Sequence, residues 1–137
     1  MAGRACFPEI ICPMAIQFAL DTQRGILITR AEGLVTFEEV QKHLDEESAA
    51  ALLGCQKIFD ASGARTNLTA DEVKRIVGRF HAMMQTGAFG PTAIITADDL
   101  FFGMARMMAI LCDLQGGQRM AVFRTVDDGL SWLAGLD

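Results

Sequence analysis

The sequence predicts an α/β protein built on a mostly parallel, mixed β-sheet with four helices, in the order β-β-α-β-α-β-α-β-α. Three observations predict it. Two alternating apolar segments, 15–20 and 26–33, flank the turn residues Asp21-Thr22-Gln23-Arg24-Gly25 and read as a hairpin, which places the first strand antiparallel. Short apolar runs then recur at 57–60, 92–95 and 120–123, each followed by polar cap residues and a segment of helical period. The connections between these runs are long enough for right-handed crossovers between parallel strands, which makes a layered α/β structure.

The elements follow in order. Thr36-Phe37-Glu38-Glu39 is a capping box, and Phe37, Val40, Leu44 and Ala51 fall on one face of a first helix expected to end at Gly54. Lys57-Ile58-Phe59-Asp60 is a short strand, and Ala61 to Leu68 reads as a polar loop before a second capping box, Thr69-Ala70-Asp71-Glu72. Val73, Ile76, Val77, Phe80 and Met84 then recur on one side of a second helix, until Gly87 and Gly90-Pro91 stop it. Thr92-Ala93-Ile94-Ile95 is the central strand. It feeds through Thr96-Ala97-Asp98-Asp99 into a methionine-rich third helix whose Leu100, Met104, Met107, Met108 and Leu111 are expected against the sheet, with Phe101 and Cys112 widening that face. Gly116-Gly117 turns the chain into Met120-Ala121-Val122-Phe123, and Thr125 caps a last helix with Val126, Leu130 and Leu133 inward.

Composition narrows the function. At 137 residues the chain suits one domain with a real core. Residues 1–13 carry two prolines and no period and read as a loose N-terminal extension, with a single domain over 14–137 and Met14 as a candidate start. A formal charge of −5, with twelve scattered basic residues, argues against nucleic acid or an anionic membrane surface as partner. No apolar stretch approaches a membrane span, and Pro8, Glu9 and Pro13 spoil a signal peptide, so a cytoplasmic location is expected. Cys6, Cys12, Cys55 and Cys112 form no C-x-x-C pair, and neither a metal site nor a cofactor is expected.

No nucleophile–base or nucleotide-binding motif occurs, and catalysis is not expected. His43 and His81 read as surface or core-edge histidines, and Asp45-Glu46-Glu47 as a solvated helix face. In a parallel sheet the loops after the strand C-termini gather at one edge. That rule makes Asp60, Ser62, Arg65, Asn67, Thr69, Thr96, Asp98 and Arg124, with Asp99 and Thr125, a candidate ligand or anion site, the helix N-terminus at Thr69 supplying N–H groups beside Arg65 or Arg124. The competing roles are capping by Thr69, Thr96 and Thr125 and an Asp60–Arg65 pair. Phe102 and Ile110 project from the third helix opposite its sheet face and flank Arg106; they are a candidate dimer or apolar-ligand surface.

From about Met14 to its C-terminus the chain resembles the small SpoIIAA-like proteins grouped with STAS and SEC14 domains. The resemblance is carried by the hairpin with Gly33-x-x-Thr36, by Phe59-Asp60-Ala61-Ser62-Gly63, by Phe102-Gly103-Met104-Ala105-Arg106-Met107, and by Val122-Phe123-Arg124 with Leu130-Ser131-Trp132-Leu133. It implies a mixed sheet with one antiparallel strand and a role in regulation or apolar-ligand binding. Phosphorylated members of the wider group carry Asp-Ser-Ser-Gly where this chain has Asn67-Leu68-Thr69-Ala70, so the serine switch does not carry over and Thr69 is the substitute candidate for phosphorylation. Two functions are therefore expected: a non-catalytic regulatory or protein-interaction module, whose partner is a regulatory protein or a second copy of the chain, or a carrier or sensor of an apolar small molecule or lipid. The methionines favour the second, because thioethers adapt to varied partners.

Overall fold

The computed structural model describes residues 16–52, 54–86, 89–114 and 120–136. Five strands, β1 (Ile16–Asp21), β2 (Ile26–Val35), β3 (Gln56–Thr66), β4 (Thr92–Thr96) and β5 (Met120–Phe123), form one sheet in sequential order. β1 pairs antiparallel with β2 and every other neighbour is parallel. The four helices are α1 (Phe37–Ala49), α2 (Ala70–Thr86), α3 (Asp99–Leu114) and α4 (Val126–Ala134). The expectations for the N-terminal extension, Cys6, Cys12, Met14, Gly87, Gly116-Gly117 and the side chain of Met84 lie outside the described residues.

A sequential strand order with parallel crossovers of one hand puts successive helices on one face. That is the arrangement here. Leu44 of α1, Val73, Ile76 and Phe80 of α2, and Phe101, Ala105 and Cys112 of α3 share a core with Ile16, Ala31, Ala61, Ile94 and Met120. α4 follows the last strand and alone covers the other face, where Leu133 packs on Ile26, Ile58, Ala93 and Ile95. The approach there is close, for a Cβ on Gly129 would stand 2.7 Å from Ile95 Cδ1.

The hairpin loop is held by Asp21, whose carboxylate accepts from the N–H groups of Gln23 and Arg24 at 3.1 Å each, while Gly25 takes φ +69°. Both capping boxes form. Thr36 Oγ1 accepts from Glu39 N–H at 3.2 Å and Glu39 returns the bond at 3.0 Å; Thr69 and Glu72 repeat the exchange at 3.1 and 3.0 Å. Asp98 caps α3 through Phe101 N–H, and Thr125 caps α4 through Asp128 N–H.

Three expectations need correction. α1 ends at Ala49 rather than running to Gly54: Leu52 N–H donates to Glu47 O and Ala51 N–H to Ser48 O, with Ala51 at φ 60°, a Schellman stop in which alanine occupies the glycine position. Ala51 is exposed and off the apolar face. The polar loop of 61–68 is mostly strand, since β2 runs on to Val35 and pairs β3 up to Thr66. Ala61, Ala64 and Thr66 point into the core, and Thr66 Oγ1 donates to Val35 O at 3.0 Å. Lastly, the inward face of α3 is shifted at its edges: Phe101, Met108 and Cys112 are buried as expected and Met104, Met107 and Leu111 pack against the core half-buried, but Ala105 and Ala109 are buried too, while Leu100 is 65% exposed. The helix packs on α2 as well as on the sheet, so its apolar arc is divided between two neighbours.

Candidate functional site

The site begins with α1. Its apolar stripe at helical spacing runs Val40, His43, Leu44, Glu47, so two polar residues occupy positions that face the sheet. Both are buried, at 5% and 2% exposure, and His43 Nε2 lies 3.0 Å from Glu47 Oε2. The imidazole stands edge-on to the rings of Phe18 and Phe59, centroids 5.5 and 5.8 Å away. Among the described residues, His43 Nδ1 is the buried side-chain nitrogen or oxygen without a hydrogen-bond partner.

From β3 comes Lys57, which follows the alternation of its strand onto the same face. It is 3% exposed; its Nζ lies 3.5 Å from Gly90 O and 4.0 Å from the centre of the Phe89 ring. Burial drives its amine down from 10.5 to about 8, while the Glu47 carboxylate and, less strongly, Cys55 pull it back up. Gly90 itself lies against the backbone before β3, where a Cβ would fall 2.1 Å from Cys55 O, so a larger residue does not fit there.

These three side chains line a cavity of about 80 Å³ between the sheet and α1, α2 and α3. Val35, Phe59 and Ile94 form its floor, and Leu44, Ile76, Phe80, Phe101 and Met108 its walls. Thr29 and Thr92 add hydroxyls on the sheet side. The space exceeds the ~10–15 Å³ that admits one water and falls well short of the ~300 Å³ at which ordinary ligand pockets begin. An apolar chamber with a few convergent polar groups is the form a small-molecule site takes.

The residues that the sequence marks as a site are distributed over three places. Asp60 and Ser62 sit on the α4 side of the sheet, where two residues of β3, Ala61 and Ser62, oppose the single Ala31 of β2. The Asp60 carboxylate accepts from Ser62 N–H at 3.1 Å and Ser62 Oγ at 2.6 Å, a local device that holds this bulge rather than an ion pair with Arg65. With Arg30, Glu32 and Gly63 they line a polar surface cleft of about 330 Å³. Thr69, beside the exposed Asn67 and Arg65, is engaged in its capping box. Thr96 is fully buried on the opposite face of the sheet from Asp60 and lies 3.4 Å from Asp98 O. Arg124 donates to Ala97 O and to the Asp99 carboxylate at 2.9 Å each and lies 4.0 Å over the Phe102 ring. Both helix N-termini are thus met by carboxylates of their own chain, Glu72 at α2 and Asp98 at α3. On α3 the solvent face runs Asp99, Gly103, Arg106, Ile110, with half-buried Phe102 on its flank.

The fold is SpoIIAA-like. A structure of an uncharacterised DUF3478-family protein with a SpoIIAA-like fold from Shewanella loihica PV-4 matches with a TM-score of 0.55 at 19% identity, over 87% of this chain and 94% of that one. The anti-sigma factor antagonist SpoIIAA in its unphosphorylated form matches with a TM-score of 0.52 at 15% identity, over 89% of this chain and the whole of that one. No protein-family model and no curated protein matches the sequence. Among the described residues no helix is long and apolar enough to cross a membrane, and no group of three His, Cys, Asp or Glu side chains is placed to hold a metal ion. The SpoIIAA-like scaffold accounts for the sheet and the helices on it. The buried His43, Glu47 and Lys57 are particular residues set into that scaffold, and fold similarity does not assign them a role.

Proposed function

We propose that this SpoIIAA-like domain is a non-catalytic regulatory module that senses or carries a small, mostly apolar molecule held in the cavity under α1, α2 and α3. The observation that carries the reading is the set of three ionisable side chains, His43, Glu47 and Lys57, on the wall of an otherwise apolar chamber. Each buried ion costs several kcal/mol of desolvation, of the order of what an apolar core residue would avoid, so such groups are poor stabilisers and good recognition elements. Cavity size sets the scale of the ligand. About 80 Å³ limits it to a compact molecule, a single ring or a short chain at most, and excludes a complete long-chain lipid.

Native mass spectrometry after gentle purification tests the proposal. The expected spectrum shows a small adduct that denaturation releases. A bare chain that also gains no thermal stability from a panel of ring-sized apolar compounds would refute it, since any ligand of the folded state raises its stability by mass action.

A second reading, contact with another protein chain, is favoured by the solvent face of α3, where Ile110 is 51% exposed beside Arg106 and Phe102. In this reading the same patch on a second copy covers it across a two-fold axis. The two readings are compatible, because the α3 surface faces away from the cavity.

A further inference from the structure

We propose that the cavity selects an uncharged ligand bearing a hydroxyl group, and that this hydroxyl donates its hydrogen bond to His43 Nδ1; a compact phenol is the class that fits. The inference rests on the cavity reading above and adds the chemistry of the ligand's polar end.

The protonation pattern follows from the geometry. Glu47 presents a carboxylate, which only accepts, so the imidazole nitrogen 3.0 Å from Glu47 Oε2 carries the proton. The charges in the cavity then decide the rest. Glu47 is the one carboxylate among the lining side chains: it lies 3.0 Å from the imidazole and also pulls the Lys57 amine up, so an imidazolium would be a second buried cation sharing a single counter-charge with Lys57. The proposed complex accordingly holds the imidazole as the tautomer with its proton on Nε2, which leaves Nδ1 as a lone pair. That lone pair is an acceptor, it belongs to a side chain 5% exposed, and no donor among the described residues reaches it. Leaving it unmet destabilises the fold, and a donor arriving with the ligand removes the penalty.

The walls specify what carries the donor. Phe59, Phe80, Phe101 and Met108 offer ring faces, ring edges and a thioether to a flat apolar body. A volume of about 80 Å³ limits that body to the size of one ring. A carboxylate ligand is disfavoured twice: it sets an acceptor against an acceptor, and it adds a charge to a pair already balanced.

The test compares phenol, anisole and benzoate on the full chain by isothermal titration and thermal shift at neutral pH. Phenol is expected to raise the melting temperature saturably and to bind about tenfold or more tightly than anisole, which has the same ring and no donor. Benzoate is expected not to bind. In heteronuclear NMR of the unmodified protein the His43 Nδ1 resonance should shift on adding phenol and stay in place with anisole. His43→Leu should bind both rings alike; if it keeps the preference for phenol, the inference is overturned, and if it does not fold, the NMR experiment decides. Equal binding of phenol and anisole to the unmodified protein overturns the hydroxyl inference and leaves the apolar-ligand reading standing. Benzoate binding more tightly than phenol overturns it by revealing an imidazolium. If none of the three binds, the hydroxyl inference fails, and the search for a co-purified adduct judges the apolar-ligand reading separately.

Discussion

His43 and Glu47 stand one helical turn apart on α1 with their side chains 3.0 Å from each other, and both are closed off from solvent under the sheet. A pair in this position acts as a unit. Removing Glu47 takes from His43 the acceptor of its Nε2–H and from Lys57 the carboxylate that pulls its amine up, both in a low-dielectric interior. Glu47→Ala is therefore expected to lower the unfolding free energy by about 3 to 5 kcal/mol, and Glu47→Gln, which keeps an acceptor for Nε2–H, by clearly less. Urea titration of the two variants checks this; equal losses would mean that the hydrogen bond contributes nothing.

Stability should rise with pH just above neutrality. Lys57 has a folded value near 8 against 10.5 unfolded, so between these limits the unfolded chain holds a proton that the folded one has released, and raising the pH favours folding. The full effect is on the order of 3 kcal/mol. Burial pushes the Cys112 thiol from 9.0 to about 11, and there the folded chain keeps the proton, so stability falls as pH rises through that range. The rise should be clean from about pH 8 to 9 and be offset beyond it. Lys57→Met should abolish the rise, and Cys112→Ala should extend it. Urea midpoints across the pH series measure both, and a flat profile for the unmodified protein would count against a buried Lys57.

Ala51→Gly should stabilise the protein. Ala51 holds φ 60° at the end of α1, a conformation that costs an alanine about 1–2 kcal/mol and a glycine almost nothing. After the greater chain entropy of glycine is subtracted, a gain of about 0.5–1 kcal/mol is expected in thermal or urea unfolding. A loss would mean that the Schellman stop is not formed in solution.

If α3 forms a two-fold contact, replacing Phe102 and Ile110 together by Glu should yield a folded monomer, because the new charges would be buried only in the assembly. Light scattering and circular dichroism measured together check the outcome. An unmodified protein that is monomeric over a wide concentration range rules the contact out.

Local signals carried the architecture: Thr36 with Glu39, Thr69 with Glu72 and the turn at Asp21 each fix an element within three or four residues, and each forms as expected. What escaped depends on partners distant in sequence. The second half of β3 is polar, and it is strand because β2 extends beside it. Ala49-Ala50-Ala51 gives no hint of a helix stop. The setting of α3 follows from its having two neighbours, which a single helical period does not reveal. The cavity escaped for a related reason. A charged residue such as Glu47 within Asp45-Glu46-Glu47 reads as surface, although its spacing from Val40 and Leu44 puts it and His43 on the inward stripe, and that spacing was the available signal. Lys57 was hidden in the same way at the start of an apolar strand.

The division of the sheet into a face under three helices and a face under α4 alone has an optical consequence. The chain has one tryptophan and no tyrosine. Trp132 lies on α4, its ring centre 5.8 Å from that of Phe123, on the side of the sheet away from the cavity. Emission excited at the red edge of the aromatic band thus comes from a lamp mounted behind the wall of the binding chamber. Filling the chamber should leave its colour unchanged, so a quenching assay would be blind to the ligand. Detachment of α4, by contrast, would be seen at once, and melting curves followed by tryptophan emission and by far-ultraviolet circular dichroism will coincide only where the two faces of the sheet come apart together.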